Sequence, residues 1–310
     1  MLNDKWDRGV MGGINKKGVI LAFSGYVIWG CAPLFWGLTA HIDPMLTLVM
    51  RIFWSAAFAT GILALTGRLP ELKALLLNKK KMRILAPAVL FLLGDWGVFL
   101  YAVQSGHVLD TSLGYYISPF VVFALSMIVF REKPTVLMLA AMSLAFAGVA
   151  VSAIHYGRFP IISVLLSLMF SIYGAFKKTA QVEGVLSIAA ETAMMVPLAL
   201  AALLLSPLKG ALAANTFTDH MLFVGAGVMT ALPMFLYSSG VIDIPFVMIG
   251  FMQYVGPTLS MFCGLLMGEV ITPDKLLTFA FIWAAMALYA ISVVIGETKK
   301  KRAGGQTVQT

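Results

Sequence analysis

Ten apolar runs of membrane-spanning length, at 18–38, 44–66, 83–104, 111–130, 134–154, 160–176, 187–206, 220–240, 245–267 and 275–295, leave this chain little choice but a bundle of membrane helices. About 20 apolar residues in a helix cross a hydrocarbon core ~30 Å thick, and backbone in lipid must satisfy its own hydrogen bonds. The residues are 60% hydrophobic and 12% charged, with a mean hydropathy of +0.92. Soluble proteins carry roughly 45–50% apolar and ~25% charged residues. The expected class is therefore all-α integral membrane, with ten transmembrane helices. Its longest connection, 67–83, is too short for a soluble catalytic domain.

A net charge of +8 would fit a nucleic-acid partner if the cations formed one face. They are distributed by side of the membrane instead. With the N-terminus in the cytoplasm, one side holds Lys5, Arg8, Lys16 and Lys17, and then Arg68, Lys73, Lys79, Lys80, Lys81 and Arg83. Arg131, Lys133, Lys177, Lys178, Lys299, Lys300, Lys301 and Arg302 join them there. Only Arg158, Lys209 and Lys275 fall on the other side, and Arg51 lies inside a span. This bias puts both termini in the cytoplasm, with residues 1–17 and 297–310 as tails, and it excludes nucleic acid as a partner. The first span is longer than a signal-peptide core and is expected to remain. Cys31 and Cys263 fall within spans and read as small buried hydrophobes rather than a disulfide or zinc framework. The sequence has no phosphate-loop motif and no H-E-x-x-H helix, so no nucleotide, metal or other cofactor is expected.

Landmarks recur at nearly one spacing. The segment Gly106–Pro119, GHVLDTSLGYYISP, and the segment Gly250–Pro257, GFMQYVGP, each place a tyrosine three residues before a proline. Pro119 and Pro257 are 138 residues apart, Glu132 and Glu269 are 137 apart, and Trp29-Gly30 recurs as Tyr173-Gly174 after 144. Two five-span halves follow, 18–154 and 155–296. An odd number of spans per half inserts the second upside down, the inverted-repeat plan of many secondary transporters.

The polar residues inside spans define the candidate site. A proline removes a backbone donor and opens the helix locally, so Pro119 and Pro257, beside Tyr116, Ser118, Gln253 and Tyr254, are expected to line a midplane cavity with Trp29 and Tyr173. Packing kinks are the alternative for both prolines. Arg51 and Asp95 lie at similar depth on consecutive spans and can pair, either at the cavity or as a structural ion pair. Glu191 lies near the inner end of its span with Lys177 and Lys178 opposite, which reads as a snorkelling interfacial bridge. His107 and Asp110 stand at the outer mouth. Candidates for proton coupling are Asp95, His107, Asp110 and Glu191. Ala141, Ala145 and Gly148 in the fifth span, and Ala280, Ala284 and Ala287 in the tenth, read as close-packing seams within the bundle or between protomers.

These residues carry a resemblance. Trp29, Gly30 and Pro33; Arg51-Ile52-Phe53-Trp54-Ser55; GHVLDTSLGYYISP from Gly106; Thr230-Ala231-Leu232-Pro233; Gln253-Tyr254-Val255-Gly256-Pro257-Thr258; and Thr278-Phe279-Ala280-Phe281-Ile282-Trp283 resemble the RarD-type branch of the EamA families in the drug/metabolite transporter superfamily. The resemblance covers nearly the whole chain. It departs at Asp110, where the branch pattern has glutamate, and at Ser118 and Asp95, where it has asparagine. It implies a ten-helix carrier of a bacterial inner membrane, working by alternating access on a small-molecule substrate, with protons as the candidate coupling ion and a monomeric or homodimeric state. Chloramphenicol sensitivity in the branch, and amino-acid or metabolite export in the superfamily, imply an exporter of small amino-acid-like or amphipathic compounds. The competing readings are a membrane-embedded enzyme using Asp95, Glu191 or His107, and a membrane scaffold without transport.

Overall fold

The computed structural model describes residues 15–104, 108–156, 160–268, 270 and 273–306, and every regular element among them is an α-helix. In chain order these are α1 (Lys16–Leu38), α2 (Pro44–Leu65), α3 (Leu69–Leu77), α4 (Lys79–Gln104), α5 (Val108–Ile128), α6 (Val136–Tyr156) and α7 (Ile161–Ala180). They continue as α8 (Gly184–Leu205), α9 (Leu208–Ala214), α10 (Phe217–Val241), α11 (Phe246–Met252), α12 (Val255–Leu266) and α13 (Pro273–Gln306). Eight segments are long and apolar enough to cross a membrane, α11 and α12 together forming one of them. Two shorter apolar stretches, Gly114–Ile128 of α5 and Val136–Val151 of α6, fall where the fourth and fifth spans are expected.

Capping residues set several boundaries. Asn15 accepts from the amides of Lys17 and Gly18 at 3.0 and 3.3 Å, and Asp43 accepts from Leu46 at 2.8 Å ahead of Pro44 in the first turn. Thr216 and Asp219 form a reciprocal capping box at the start of α10. The 67–83 connection, expected as a loop, folds as α3, with Leu72 and Leu75 buried against its neighbours.

Lipid gives helices no hydrophobic reason to associate, so packing rests on small residues and interhelical hydrogen bonds. At the α2–α10 contact Ser55 Oγ donates to the Gly227 carbonyl at 3.0 Å, and a Cβ on Gly227 would run into Trp54. At the α1–α12 contact Ser260 Oγ donates to the Gly30 carbonyl at 3.0 Å, and a Cβ on Gly30 would stand 2.9 Å from the Gly256 carbonyl oxygen. On α7, Ser163, Ser167 and Ser171 repeat every fourth residue and are buried; Ser171 reaches the Ser118 carbonyl of α5 at 3.3 Å. α6 packs on α13, where Thr278 Oγ1 donates to the Gly148 carbonyl at 3.1 Å. Of the two expected seams, the one in the fifth span packs within the bundle. Ala141 and Ala145 are buried, but α13 meets α6 through Thr278, Ile282 and Ala285, while Ala280, Ala284 and Ala287 are exposed.

The ninth expected span is discontinuous. The helix stops at Met252 and resumes at Val255, with Gln253 and Tyr254 in a turn. A proline ring collides with the carbonyl four residues before it, and for Pro257 that residue is Gln253. The break therefore lies a turn ahead of the proline. Pro119, its counterpart, stays inside a continuous α5.

One end of the bundle is tied together by side chains that reach backbone of other helices. Glu132, in the α5–α6 turn, accepts from the amides of Phe246 and Val247 at 2.6 and 2.8 Å and so caps α11 from outside. Lys178 donates to the Ile244 carbonyl, Gln181 Nε2 to that of Ile242 at 3.3 Å, and Lys81 to that of Ala180. At the opposite end His41 Nε2 lies 2.8 Å from Asp219 Oδ1, linking the α1–α2 turn to α10.

Candidate functional site

The turn between α7 and α8 is three residues long, so the two helices run antiparallel and present facing side chains. Tyr173 and Lys177 are one turn apart on α7, and Ser187 and Glu191 are one turn apart on α8. All four meet. Lys177 Nζ donates to Ser187 and to Glu191 Oε1, Ser187 Oγ donates to Glu191 Oε1 at 2.8 Å, and Tyr173 OH donates to Glu191 Oε2 at 3.0 Å. The Lys177 and Glu191 side chains are each 1% exposed. The interfacial bridge expected for Glu191 is thus a buried ion pair inside the bundle, because the carboxylate lies two turns into α8 rather than at its end. Lys178 leaves this group and serves the Ile244 carbonyl instead.

Against this ionic group stands a cluster of five rings from three helices. Trp29 lies 5.6 Å from Tyr26, 5.6 Å from Tyr237 and 5.8 Å from Phe170, centroid to centroid, and Phe170 is 6.0 Å from Tyr173. Around the rings are buried polar atoms without a hydrogen-bond partner, namely Tyr26 OH, Ser238 Oγ and Gln253 Oε1. Tyr26 and Gln253 face each other, as do Tyr173 and Ser238, near enough to interact but without the geometry of a well-formed hydrogen bond. Unpaired buried polar groups are rare in native proteins and mark places where water or a ligand completes the bonding. The break between α11 and α12 is what brings Gln253 to the cluster.

Glu191 also borders a small cavity among α2, α4, α8 and α10, walled by Ser55, Trp96, Thr192, Thr230 and Met234, with room for about one water. Trp96 forms one wall. The Arg51 guanidinium lies over its ring, 4.0 Å from the centroid, with Trp36 at 5.9 Å. Arg51 and Asp95 interact through space without reaching the 4.0 Å of an ion pair, and Arg51 Nε is buried without an acceptor.

The expected site residues thus separate into groups. Trp29, Tyr173, Gln253 and Glu191 converge on the ring cluster and its ionic group. Arg51 and Asp95 sit beside Trp96. Tyr116 and Tyr254 come to one further cluster, on the side of α6 and α13, where Tyr254 packs with Ala145, Ile282 and Ala285 and its hydroxyl has no partner. Ser118 and Pro119 are buried on α5, Ser118 giving its carbonyl to Ser171, and Pro257 stands in the first turn of α12. His107, Glu269 and the Asp110 side chain lie outside the described residues. Sequence reading missed Tyr26, Ser55, Phe170, Ser187, Tyr237 and Ser238. Tyr26 shares a helix face with Trp29 at i, i+3, and Ser187 one with Glu191 at i, i+4, which were the available signals. Among the described residues no three His, Cys, Asp or Glu side chains gather to hold a metal ion.

A bundle of apolar helices that encloses Lys177, Lys178 and Glu191 is a multi-pass membrane protein. Residues 16–154 match the EamA-like transporter family. The uncharacterized transporter YojE of Bacillus subtilis (strain 168) is 35% identical over 284 residues, covering 90% of this chain and 95% of that protein. Protein RarD of Salmonella typhi is 34% identical over 289 residues, covering 92% and 98%. A solved crystal structure superposes with a TM-score of 0.69 at 15% identity, over 89% of this chain and 97% of that one, a likeness of fold alone. The chain belongs to the EamA-like transporter family and, within it, to the RarD-type branch.

Proposed function

We propose that this protein is a secondary active transporter, not an enzyme, that exports small amino-acid-like or amphipathic metabolites across a bacterial inner membrane. Both termini are cytoplasmic in this reading, and residues 18–154 and 155–296 are inverted repeats that rock against each other. The helix contacts support the repeat. If α1, α2, α4, α5 and α6 correspond to α7, α8, α10, α11–α12 and α13, the contacts of α1 with α10 and α12 become those of α7 with α4 and α5. The contacts α2–α8, α5–α11 and α6–α13 map onto themselves. Such a pattern is what a twofold axis in the membrane plane produces.

The observation that carries the reading is the buried group of Tyr173, Lys177, Ser187 and Glu191 beside rings and unpaired polar atoms, reached by a broken helix. A buried ion pair is weak support for stability but suits a switch, because each protonation state favours different partners. Glu191 would exchange a proton while the substrate occupies the ring cluster next to Gln253. Three donors hold Glu191 as an acceptor, which disfavours a general-acid role in a membrane-embedded enzyme.

The test is flux into proteoliposomes for a panel of amino acids and amphipathic drugs, with and without a pH gradient. Export predicts gradient-dependent flux of at least one compound, loss of that dependence in Glu191→Gln, and a two- to tenfold shift in apparent affinity in Tyr26→Phe, the worth of one buried hydroxyl. Flux that ignores the gradient in both proteins removes the coupling role. The absence of flux for every compound with folded, reconstituted protein removes the transporter reading for this panel's chemistry.

A further inference from the structure

Where α2 gives way to α4, helix α3 lies across the end of the bundle. Leu72 and Leu75 face α4 and α8 and are buried. At 100° per residue, Leu69, Lys73, Leu76 and Leu77 fall together on the adjoining flank. All four are exposed, Leu77 at 70%, and Leu65 at the end of α2 is 92% exposed beside them. Glu71 projects to the other side of α3, where Arg68 holds it at 2.8 and 2.9 Å and also reaches Glu183 at 3.3 Å. One arginine thereby engages both carboxylates nearest the patch. Lys79, Lys80 and Arg83, at the start of α4, are exposed. The region has six Lys and Arg between residues 68 and 83 against Glu71 and Glu183, a surplus of four positive charges.

Exposed leucines are stable in hydrocarbon, and lysines among them are stable only where an anion or water lies within reach of the side chain. Both conditions hold where acyl chains meet headgroups. We propose that α3 and the first turns of α4 form a binding surface for anionic phospholipid. Leu69, Leu76 and Leu77 seat among the upper acyl chains, and Lys73, Lys79, Lys80 and Arg83 engage the headgroup phosphates. The patch borders the ends of two membrane spans, so headgroups are its immediate neighbours. A zwitterionic headgroup would leave the surplus charge unanswered, whereas an anionic one neutralises it. This surface is independent of what the interior transports.

The experiment uses the full chain in neutral detergent, titrated with phosphatidylglycerol or phosphatidylcholine, and reads the thermal unfolding midpoint and the lipids retained in native mass spectrometry. Each cation near an anionic surface strengthens binding about fivefold. Phosphatidylglycerol should therefore raise the midpoint and stay bound, and the variant K73Q/K79Q/K80Q/R83Q should lose more than about a hundredfold in affinity for it. Replacing Leu69, Leu76 and Leu77 by serine should also weaken retention, and glycerol phosphate without acyl chains should give no shift. If the lysine variant does not fold, added salt should strip phosphatidylglycerol from the wild-type protein and leave phosphatidylcholine unaffected. Equal effects of the two lipids on the wild type, a phosphatidylglycerol shift unchanged in the variant, or a full shift with glycerol phosphate would each overturn the proposal.

Discussion

Lys177 and Glu191 are each other's only opposite charge within ion-pair distance among the described residues, and both are shut away from solvent. Removing one leaves the other charged and uncompensated, which costs about 3–5 kcal/mol in buried pairs. Lys177→Met should therefore lower stability by about that amount, and Lys177→Met combined with Glu191→Leu should recover most of it, read as unfolding midpoints in detergent. Additive losses in the double variant would show that the two do not act as a pair. The sequence made each of these residues visible, since a carboxylate in an apolar run cannot be overlooked. It did not show their depth. A lysine near a predicted helix end reads equally as a snorkelling or a buried group, and the contact of α7 with α8 around Glu191 decides which. The unpaired hydroxyls of Tyr26 and Ser238 were harder still, because an unmet hydrogen bond is a property of surroundings rather than of residue type.

Among the elements, α11 depends on a neighbour for its start. Pro245 precedes it and offers no side-chain cap, and Glu132 supplies both acceptor oxygens from another part of the chain. Burial raises the Glu132 carboxyl above its usual range, against the opposing pull of the Phe246 and Val247 amides and of Lys178. The folded chain then holds that proton more tightly than the unfolded chain does. The stability from this linkage is fully present below the unfolded value and is lost as pH rises through the folded one. Glu132→Gln should flatten that part of a stability–pH curve measured from about pH 4 to 8, and weaken the cap by about 1–2 kcal/mol where the carboxylate is ionised. An unchanged curve would show that Glu132 does not report on the fold. Helix positions were legible because apolar length is a one-dimensional property: the expected spans end within four residues of the observed helices, apart from the long tail of α13. The gap at Gln253–Tyr254 was not, because a proline announces a kink without fixing which carbonyl yields. The recurrence of Glu132 and Glu269 was seen, but its meaning for α11 needed the third dimension.

For the whole molecule, the charge bias makes a topological statement that labelling can check. Cysteines introduced by Lys80→Cys and Gly210→Cys, in a background lacking Cys31 and Cys263, should react with a membrane-impermeant thiol reagent from opposite faces, the first from the cytoplasm. Both sites sit in open surroundings, Lys80 exposed and Gly210 with nothing within 4 Å of a Cβ, so neither is hidden by packing. Reaction of both from one face would overturn the inverted arrangement. The narrowness of the void beneath Trp96 has a consequence for the cell that carries the protein. Protons cross a bilayer rapidly along continuous files of hydrogen-bonded water, and a void with room for about one molecule holds no such file. If the protein is the proton-coupled exporter proposed above, this void would give a resting copy no water file through which to leak the gradient that the proposed transport would use.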